Sequence, residues 1–400
     1  MPMALQFQRN AKVYVRTAFT TPSASPDNSV FQIPVLAGFS FSQSTNSSEI
    51  TINEAGFASR RARLLFNDSI APVEWSFSTY IRPTTGATPV TAVAPEQVLW
   101  AILMGANGYQ PTTRTFYSTQ VGLGSPSSSN SPSPSISPFV SPGGIGGAFI
   151  NNATSSSSNV FDFSASNVSS MPSGNTMYVS FVDGTNTEYF TMSDMVVNSV
   201  TIDFDIEGIA TAQWSGFARS LTRSASAPAA IANPVSEGVS ATTNFIRNRL
   251  STVSLAKSGG DTYSIILTGG SFTVENNINY LIPEQLGLVN APIANITGAR
   301  TISGSLTCYY DNDTTAFKSA ELWSDLISDT TSVRNNHSLT VNIGGTTSST
   351  PRLALTLPTA HLEIPNIGID DLLTLEVNFH GIVANGNVDS TDEAYITYSV

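Results

Sequence analysis

Two stretches of this 400-residue chain carry the same pattern, and a fold built twice from one plan is a strong constraint on architecture. Gly38-Phe39-Ser40-Phe41, followed by Asn46, Ile50, Ile52 and Gly56, recurs as Gly269-Gly270-Ser271-Phe272, followed by Asn277, Leu281, Ile282 and Gly287. Upstream, Phe7-Gln8-Arg9-Asn10 with Val13 and Val15 is answered by Phe245-Ile246-Arg247-Asn248 with Val253 and Leu255. Downstream, Glu74 to Ile81 parallels Ser303 to Tyr310, and Val98-Leu99-Trp100 parallels Glu321-Leu322-Trp323. The spacing predicts two copies of one domain, over 1–223 and 244–400, joined by an Ala/Ser/Pro-rich link at 224–243.

Within each copy the apolar residues alternate, which predicts half-buried strands. Val73, Trp75, Phe77, Thr79 and Ile81 point one way, and Glu74, Ser76, Ser78 and Tyr80 the other. The same period runs through Val200, Ile202, Phe204 and Ile206, through Leu339, Val341 and Ile343, and through Leu373, Leu375, Val377 and Phe379. Each copy is therefore expected to be mainly antiparallel sheet interrupted by one helix. Pro95-Glu96 opens the first helix and Gly105 closes it, around apolar Val98, Leu99, Ile102 and Leu103. The second is predicted to be amphipathic, with Ala316, Ala320, Trp323 and Ile327 on the apolar side and Glu321, Asp325 and Asp329 on the wet side. Only the first copy carries a Ser/Pro/Gly-rich insertion, at about 110–175. Composition reads it as a loop held by its parent domain or by a neighbouring subunit.

Charged residues make up only 12% of the chain, roughly half the usual share, and uncharged polar residues take their place. A net charge of -12 argues against a surface that grips nucleic-acid phosphates through Lys and Arg. Cys308 is the single cysteine, so no internal disulfide is possible and a core thiol is expected. The start, Met1-Pro2-Met3-Ala4-Leu5-Gln6, has no basic region leading into an apolar one, and no run approaches roughly 18 apolar residues. A soluble chain without an export or membrane segment is expected. There is no Walker loop, dinucleotide fingerprint, paired-cysteine motif or nucleophile elbow, and no cofactor is expected. Gly269-Gly270 and Gly344-Gly345 read as bends in or beside strands. The histidines are His337, His361 and His380, and His361 with Glu363 alone does not make a metal site.

The stretch from Phe41 to Asn53, the excursion from Glu54 to Ile70 and the strand from Trp75 to Pro83 resemble the stacking hairpin and inner strands of bacteriophage tail tube proteins. In the second copy, Ile302-Ser303-Gly304-Ser305-Leu306, Glu321-Leu322-Trp323 and the segment Leu357-Pro358 through Pro365 resemble the same fold. The resemblance implies a mainly β chain of two tandem tail-tube-like barrel or sandwich domains, each with one flanking helix. It further implies rings whose inner strands join, stacked into the tube that conducts DNA at ejection. Members of that family usually carry one such domain. Two per chain predicts homotrimer rings with pseudo-sixfold symmetry and head-to-tail contacts that close. The implied partners are further copies of the chain, other tail proteins and, in a contractile tail, a sheath. DNA passes through without specific binding, and no membrane is involved. The implied location is the virion tail, after assembly in the bacterial host cytoplasm. A tail terminator or baseplate hub component built on the same fold is the alternative.

Asp203-Phe204-Asp205-Ile206-Glu207 would project three carboxylates from one face of a strand. That resembles the Glu-x-Asp-x-Glu strand of some β-sandwich glycosidases. Here Asp stands first and no cluster of tryptophans surrounds the acids, so no catalytic residue and no enzyme activity are expected. A carbohydrate-binding β-sandwich that uses the insertion as its recognition surface is a further alternative. In a tube, Asp203, Asp205, Glu207, Glu363 and Glu376 become candidates for the lumen lining. DNA carries a charge every ~1.7 Å of axis, so a basic wall would hold it and an acidic wall leaves it free. Salt screens beyond about 8 Å, so only charges on or near the wall act. Arg60, Arg61 and Arg63 form the one basic cluster and are candidates for contact with acids of an adjoining ring.

Overall fold

The computed structural model describes residues 10–17, 19–20, 30–51, 63–85, 92–106, 108–110, 115–118, 148–149, 151–155, 158–162, 170–183, 186–236, 238–239, 244–257, 260, 262–286, 289–312, 318–328, 336–345, 351–369, 371–383 and 393–400. The fold is mainly β, as the alternation requires. The first half contains β1 (Ala11–Arg16), β2 (Ser40–Ser42), β3 (Thr45–Thr51), β4 (Arg63–Ile70), β5 (Val73–Tyr80) and α1 (Gln97–Leu103). It continues with β6 (Asn151–Ser155), β7 (Ser158–Asp162), β8 (Thr176–Asp183), β9 (Asn186–Ser193), β10 (Val196–Asp205) and β11 (Thr211–Ala218). The second half contains β12 (Thr252–Lys257), β13 (Leu267–Glu275), β14 (Asn279–Leu281), β15 (Ala294–Ile296), β16 (Thr301–Tyr309) and α2 (Ser319–Ser328). It ends with β17 (His337–Ile343), β18 (Arg352–Leu362), β19 (Asn366–Ile369), β20 (Leu373–Gly381) and β21 (Tyr395–Ser399). Shorter strands complete the sheets.

In the first half β2 pairs with β5, β5 with β11 and β11 with β10, all antiparallel. In the second half β13 pairs with β16, β16 with β20 and β20 with β19, again antiparallel. Between the halves, β10 pairs with β13 from Ser199 opposite Glu275 to Asp205 opposite Gly269. The two groups therefore run on as one row, β2-β5-β11-β10-β13-β16-β20-β19, within a 15-stranded sheet. No described sheet closes on itself, so the architecture is sandwich-like. Two hairpins leave the row at matching places: β3 with β4, and β14 with β15.

The apolar side of the row faces inward. Trp75, Phe77, Ile202, Trp214, Phe272, Leu306 and Phe379 are buried there, in one continuous core with Val13 and Val15 of β1 and Leu339 and Val341 of β17. Each such side chain contributes about 1.5–3 kcal/mol by leaving water. Close packing is visible at two glycines. A Cβ on Gly216 would lie 2.5 Å from the Trp75 ring, its cross-strand neighbour, and a Cβ on Gly304 would lie 2.4 Å from the ring of its neighbour Phe379. Bulk and void thus occupy opposite strands at the two places.

α1 is buried along its whole length, not on one face alone. Trp100 meets Trp214 edge-on at 5.1 Å. Gly105 stops the helix at φ +89°. Two buried asparagines satisfy carbonyls at and just past its end: Asn276 Nδ2 donates to Leu103 O, the last carbonyl of the helix, at 2.7 Å, and Asn175 Nδ2 to Ala106 O at 2.8 Å. α2 differs from the sequence expectation. Its buried residues are Ser319, Leu322 and Leu326, while Ile327 is 44% exposed. Tyr263 Oη donates to Asp325 Oδ2 at 2.5 Å, so one acid of the expected wet side is engaged in the fold. Ala316 and Asp329 lie outside the described residues. No described helix is long and apolar enough to cross a membrane.

The 110–175 insertion is held in part by the chain itself. β7 pairs with the C-terminal strand β21, from Ser158 opposite Ser399 to Asp162 opposite Tyr395, and β6 pairs with β7. Phe161 is fully buried against Tyr398 and Phe116. Ser125 to Pro142 lies outside the described residues.

Candidate functional site

The period of two that buries one face of the eight-stranded row sends the other side chains to the opposite face. Cross-strand pairing arranges them in rows. Tyr80, Thr211, Asp203, Ser271, Ser305 and Asn378 stand side by side across six strands. Next to them run Ser78, Gln213, Thr201, Thr273, Ser303 and His380. Hydroxyls bond across strands: Ser40 with Ser76 at 2.9 Å, Ser199 with Ser215 at 2.7 Å, and Thr201 with Thr273 at 2.9 Å. The last of these bonds bridges the two halves.

The charge on these eight strands has one sign. Their carboxylates are Glu74, Asp203, Asp205, Glu275 and Glu376, and none of the eight contains Lys or Arg. Asp203, Asp205 and Glu376 therefore share one surface, although they come from different halves. Glu363, just beyond β18, joins it at the edge. Its carboxylate accepts from Asn378 Nδ2 at 2.9 Å and lies 3.1 Å from His380 Nε2. These two contacts hold the Glu363 carboxyl below its ordinary value. His380 stands opposite His361 where β18 meets β20. Glu207 is different: β10 ends at Asp205, and Glu207 sits in an exposed bend before Gly208 at φ +125°. The three-carboxylate strand face expected of a glycosidase is thus not formed. Glu74 and Glu275 are not among the acids that the sequence singles out, although alternation already turns Glu74 outward. Only the cross-strand ladder places them with Asp203.

A second surface lies on the hairpins. On β3 and β4, Ile50 is 50%, Leu64 48%, Leu65 70% and Phe66 49% exposed. The connection between β14 and β15 adds exposed Leu286, Val289 and Ile293. Backbone bonds tie the two together, from Asn290 N to Asp68 O at 3.0 Å and from Ile70 N to Asn290 O at 2.7 Å. The result is an apolar ledge drawn from both halves, and exposed apolar surface of this kind marks interaction sites. Its signal in the sequence is the unalternated run Leu64-Leu65-Phe66. Arg63, on this hairpin, pairs with Glu49 at 3.2 Å, while Arg60 and Arg61 lie outside the described residues.

Among the described residues no group of three His, Cys, Asp or Glu is placed to hold a metal. Cys308 is buried, and burial pushes its thiol up to about 11, so it is a core side chain and not a nucleophile. A family model described as phage tail tube protein matches residues 17–381. The chain is 29% identical over 405 aligned positions to tail tube protein pb6 of Escherichia phage T5, an alignment that spans 99% of this chain and 76% of that protein.

Proposed function

This chain belongs to the phage tail tube protein family, and from that membership we infer that it forms rings which stack into the tube of a virion tail and conduct DNA at ejection. It is a structural component and not an enzyme, and it assembles with copies of itself and with other tail proteins. The finer reading is that 1–223 and 244–400 are two tail-tube-like domains joined by 224–243, so that three chains supply six domain positions around the axis.

One observation carries this reading: eight antiparallel strands run from one half into the other with a buried apolar face and an acidic, Lys- and Arg-free opposite face. Turned toward the axis, that face offers passing phosphates hydroxyls, amides and like charge. Basic side chains would instead bind DNA by releasing its counterions and slow its passage. On this reading Asp203, Asp205 and Glu376 line the lumen, together with Glu74 and Glu275. The apolar ledge on the hairpins is the ring-to-ring contact. Arg63 contributes at its rim through the hairpin it braces with Glu49.

Electron microscopy of the purified, assembled protein tests the proposal. The expected result is hollow tubes whose cross-section shows three chains in pseudo-sixfold arrangement with the acidic face inward. Six chains per ring, or that face on the outside, would overturn it. Single rings that never stack would point to a terminator.

A further inference from the structure

We propose that the junction between the two halves carries a calcium site, formed by the side-chain oxygens of Asp205, Asn248 and Ser251. The inference concerns contacts within one chain and does not depend on the ring reading above.

The site is a small cavity of about 20 Å³ where β10 ends, β13 begins and the chain enters the second half. Asp205 is the last residue of β10 and stands opposite Gly269 of β13. Gly269 leaves the carboxylate room, since a Cβ there would lie 3.2 Å from Asp205 Oδ1. Asn248 to Leu250 form a single 3-10 turn that also borders the cavity, and Ser251 follows it. Backbone bonds fix this turn in place. Asn248 N donates to Gly208 O at 3.3 Å, just past the end of β10, and Ser251 N donates to Asn248 O at 2.8 Å.

Two oxygens in this cavity lack what a folded chain normally supplies. Asn248 is only 7% exposed, and its Oδ1 is buried with no hydrogen-bond partner among the described residues; Ser251 Oγ is likewise buried and unpartnered. Buried acceptors are satisfied in the great majority of cases, so two orphans on one cavity point to an occupant that serves both. An amide oxygen and a carboxylate only accept, and a hydroxyl accepts as well as donates. A water has two protons for these three groups and leaves the Asp205 charge unanswered, whereas a cation serves all three. Oxygen ligands select a hard ion. Calcium takes six to eight oxygens in flexible geometry, while magnesium demands a near-ideal octahedron and dehydrates reluctantly. The cavity has room for about one water or one bare ion, and at exposed Asp205 solvent can complete the coordination. Arg249 also borders the cavity, but as an exposed residue it can keep its charge in water. Because only one ligand is an acid, the site does not require the clustered His, Cys, Asp or Glu that the described residues lack. Bound there, the ion fastens the first turn of the second half to the last residue of β10.

Calorimetric titration of calcium chloride into the unassembled, chelator-treated chain tests the site, in about 0.15 M NaCl to screen diffuse attraction by the acidic surface. The expected result is one saturable site per chain with a Kd of about 10⁻⁴–10⁻³ M, the range of weak calcium sites. Asp205→Asn and Asn248→Leu should each weaken binding by about tenfold or more. Asn248→Asp, which adds a charge, should tighten it. Calcium should also slow amide exchange at Asn248 and Ser251 in the unsubstituted chain. Absence of saturable binding would overturn the site. Equal binding by Asp205→Asn, a neutral isostere at an exposed position that leaves the fold intact, would also overturn it, because the ion would then be held elsewhere. Either failure leaves the ring reading standing, since no step of the measurement involves assembly.

Discussion

Replacing Glu96 by Gln should remove most of the dependence of stability on pH between 5.5 and 8. Glu96 is fully buried at the start of α1. Its Oε1 accepts from Tyr398 Oη at 2.9 Å, Tyr398 Oη accepts from Trp100 Nε1 at 2.7 Å, and Oε2 has no side-chain partner among the described residues. Burial pushes the carboxyl from its ordinary 4.5 up to about 7, against the opposing pull of its hydrogen bonds and the charge of Arg82. The folded chain thus holds this proton more tightly than the unfolded chain. The contribution is fully favourable below pH 4.5 and is lost as pH rises through about 7. At about 1.36 kcal/mol per tenfold change in proton affinity, the complete loss is roughly 3 kcal/mol, of which about 2 kcal/mol falls between pH 5.5 and 8. Urea unfolding of the unassembled protein, followed by tryptophan fluorescence, measures it. Wild type should lose that stability toward pH 8 and Glu96→Gln should stay nearly level. An unchanged slope in the variant would refute the assignment.

Gly304→Ala should destabilise the second half by about 2–3 kcal/mol, because its Cβ meets Ser271 O as well as the Phe379 ring, and overpacking of this kind forces backbone shifts; calorimetry of the variant checks it. Leu65→Asp, on the exposed ledge, should leave the fold within about 0.5 kcal/mol of wild type yet shift electron micrographs from tubes to separate rings. Thiol reagents at pH 8 should not label Cys308 in the native protein and should label it at the rate of global unfolding, since it is 0% exposed with its thiol pushed up to about 11.

What could be read from the sequence follows from where each residue's partners lie. Val73 to Ile81 was legible because a half-buried strand writes its burial into a local alternation. The same logic recovered Asp203 and Asp205 as outward-facing neighbours. It failed two residues later, where the chain bends before Gly208 and carries Glu207 off the strand. The face of α2 was misplaced because apolar residues at 320, 322, 323, 326 and 327 permit two adjacent stripes. Contact with the sheet buries Leu322 and Leu326 and leaves Ile327 out. The complete burial of α1 is written in its unbroken apolar run Val98 to Leu103, but its partners could not be read locally, since Asn276 and Tyr398 come from the other half. The insertion read as loop for the same reason: β7 needs an edge supplied by β21.

The bond from Trp100 to Tyr398 joins residues 298 positions apart. At roughly 5–20 residues per second, a ribosome that has just made α1 needs a further 15 to 60 s to deliver its partner. Through that interval the Glu96 carboxylate and the Trp100 indole lack Tyr398 as a partner, and β7 lacks β21 to lie against. The first half therefore cannot be completed until Tyr395 to Ser399 have emerged. A product cut short before Tyr395 would lack β21 altogether, and with it both the acceptor of Trp100 and the strand that β7 lies against.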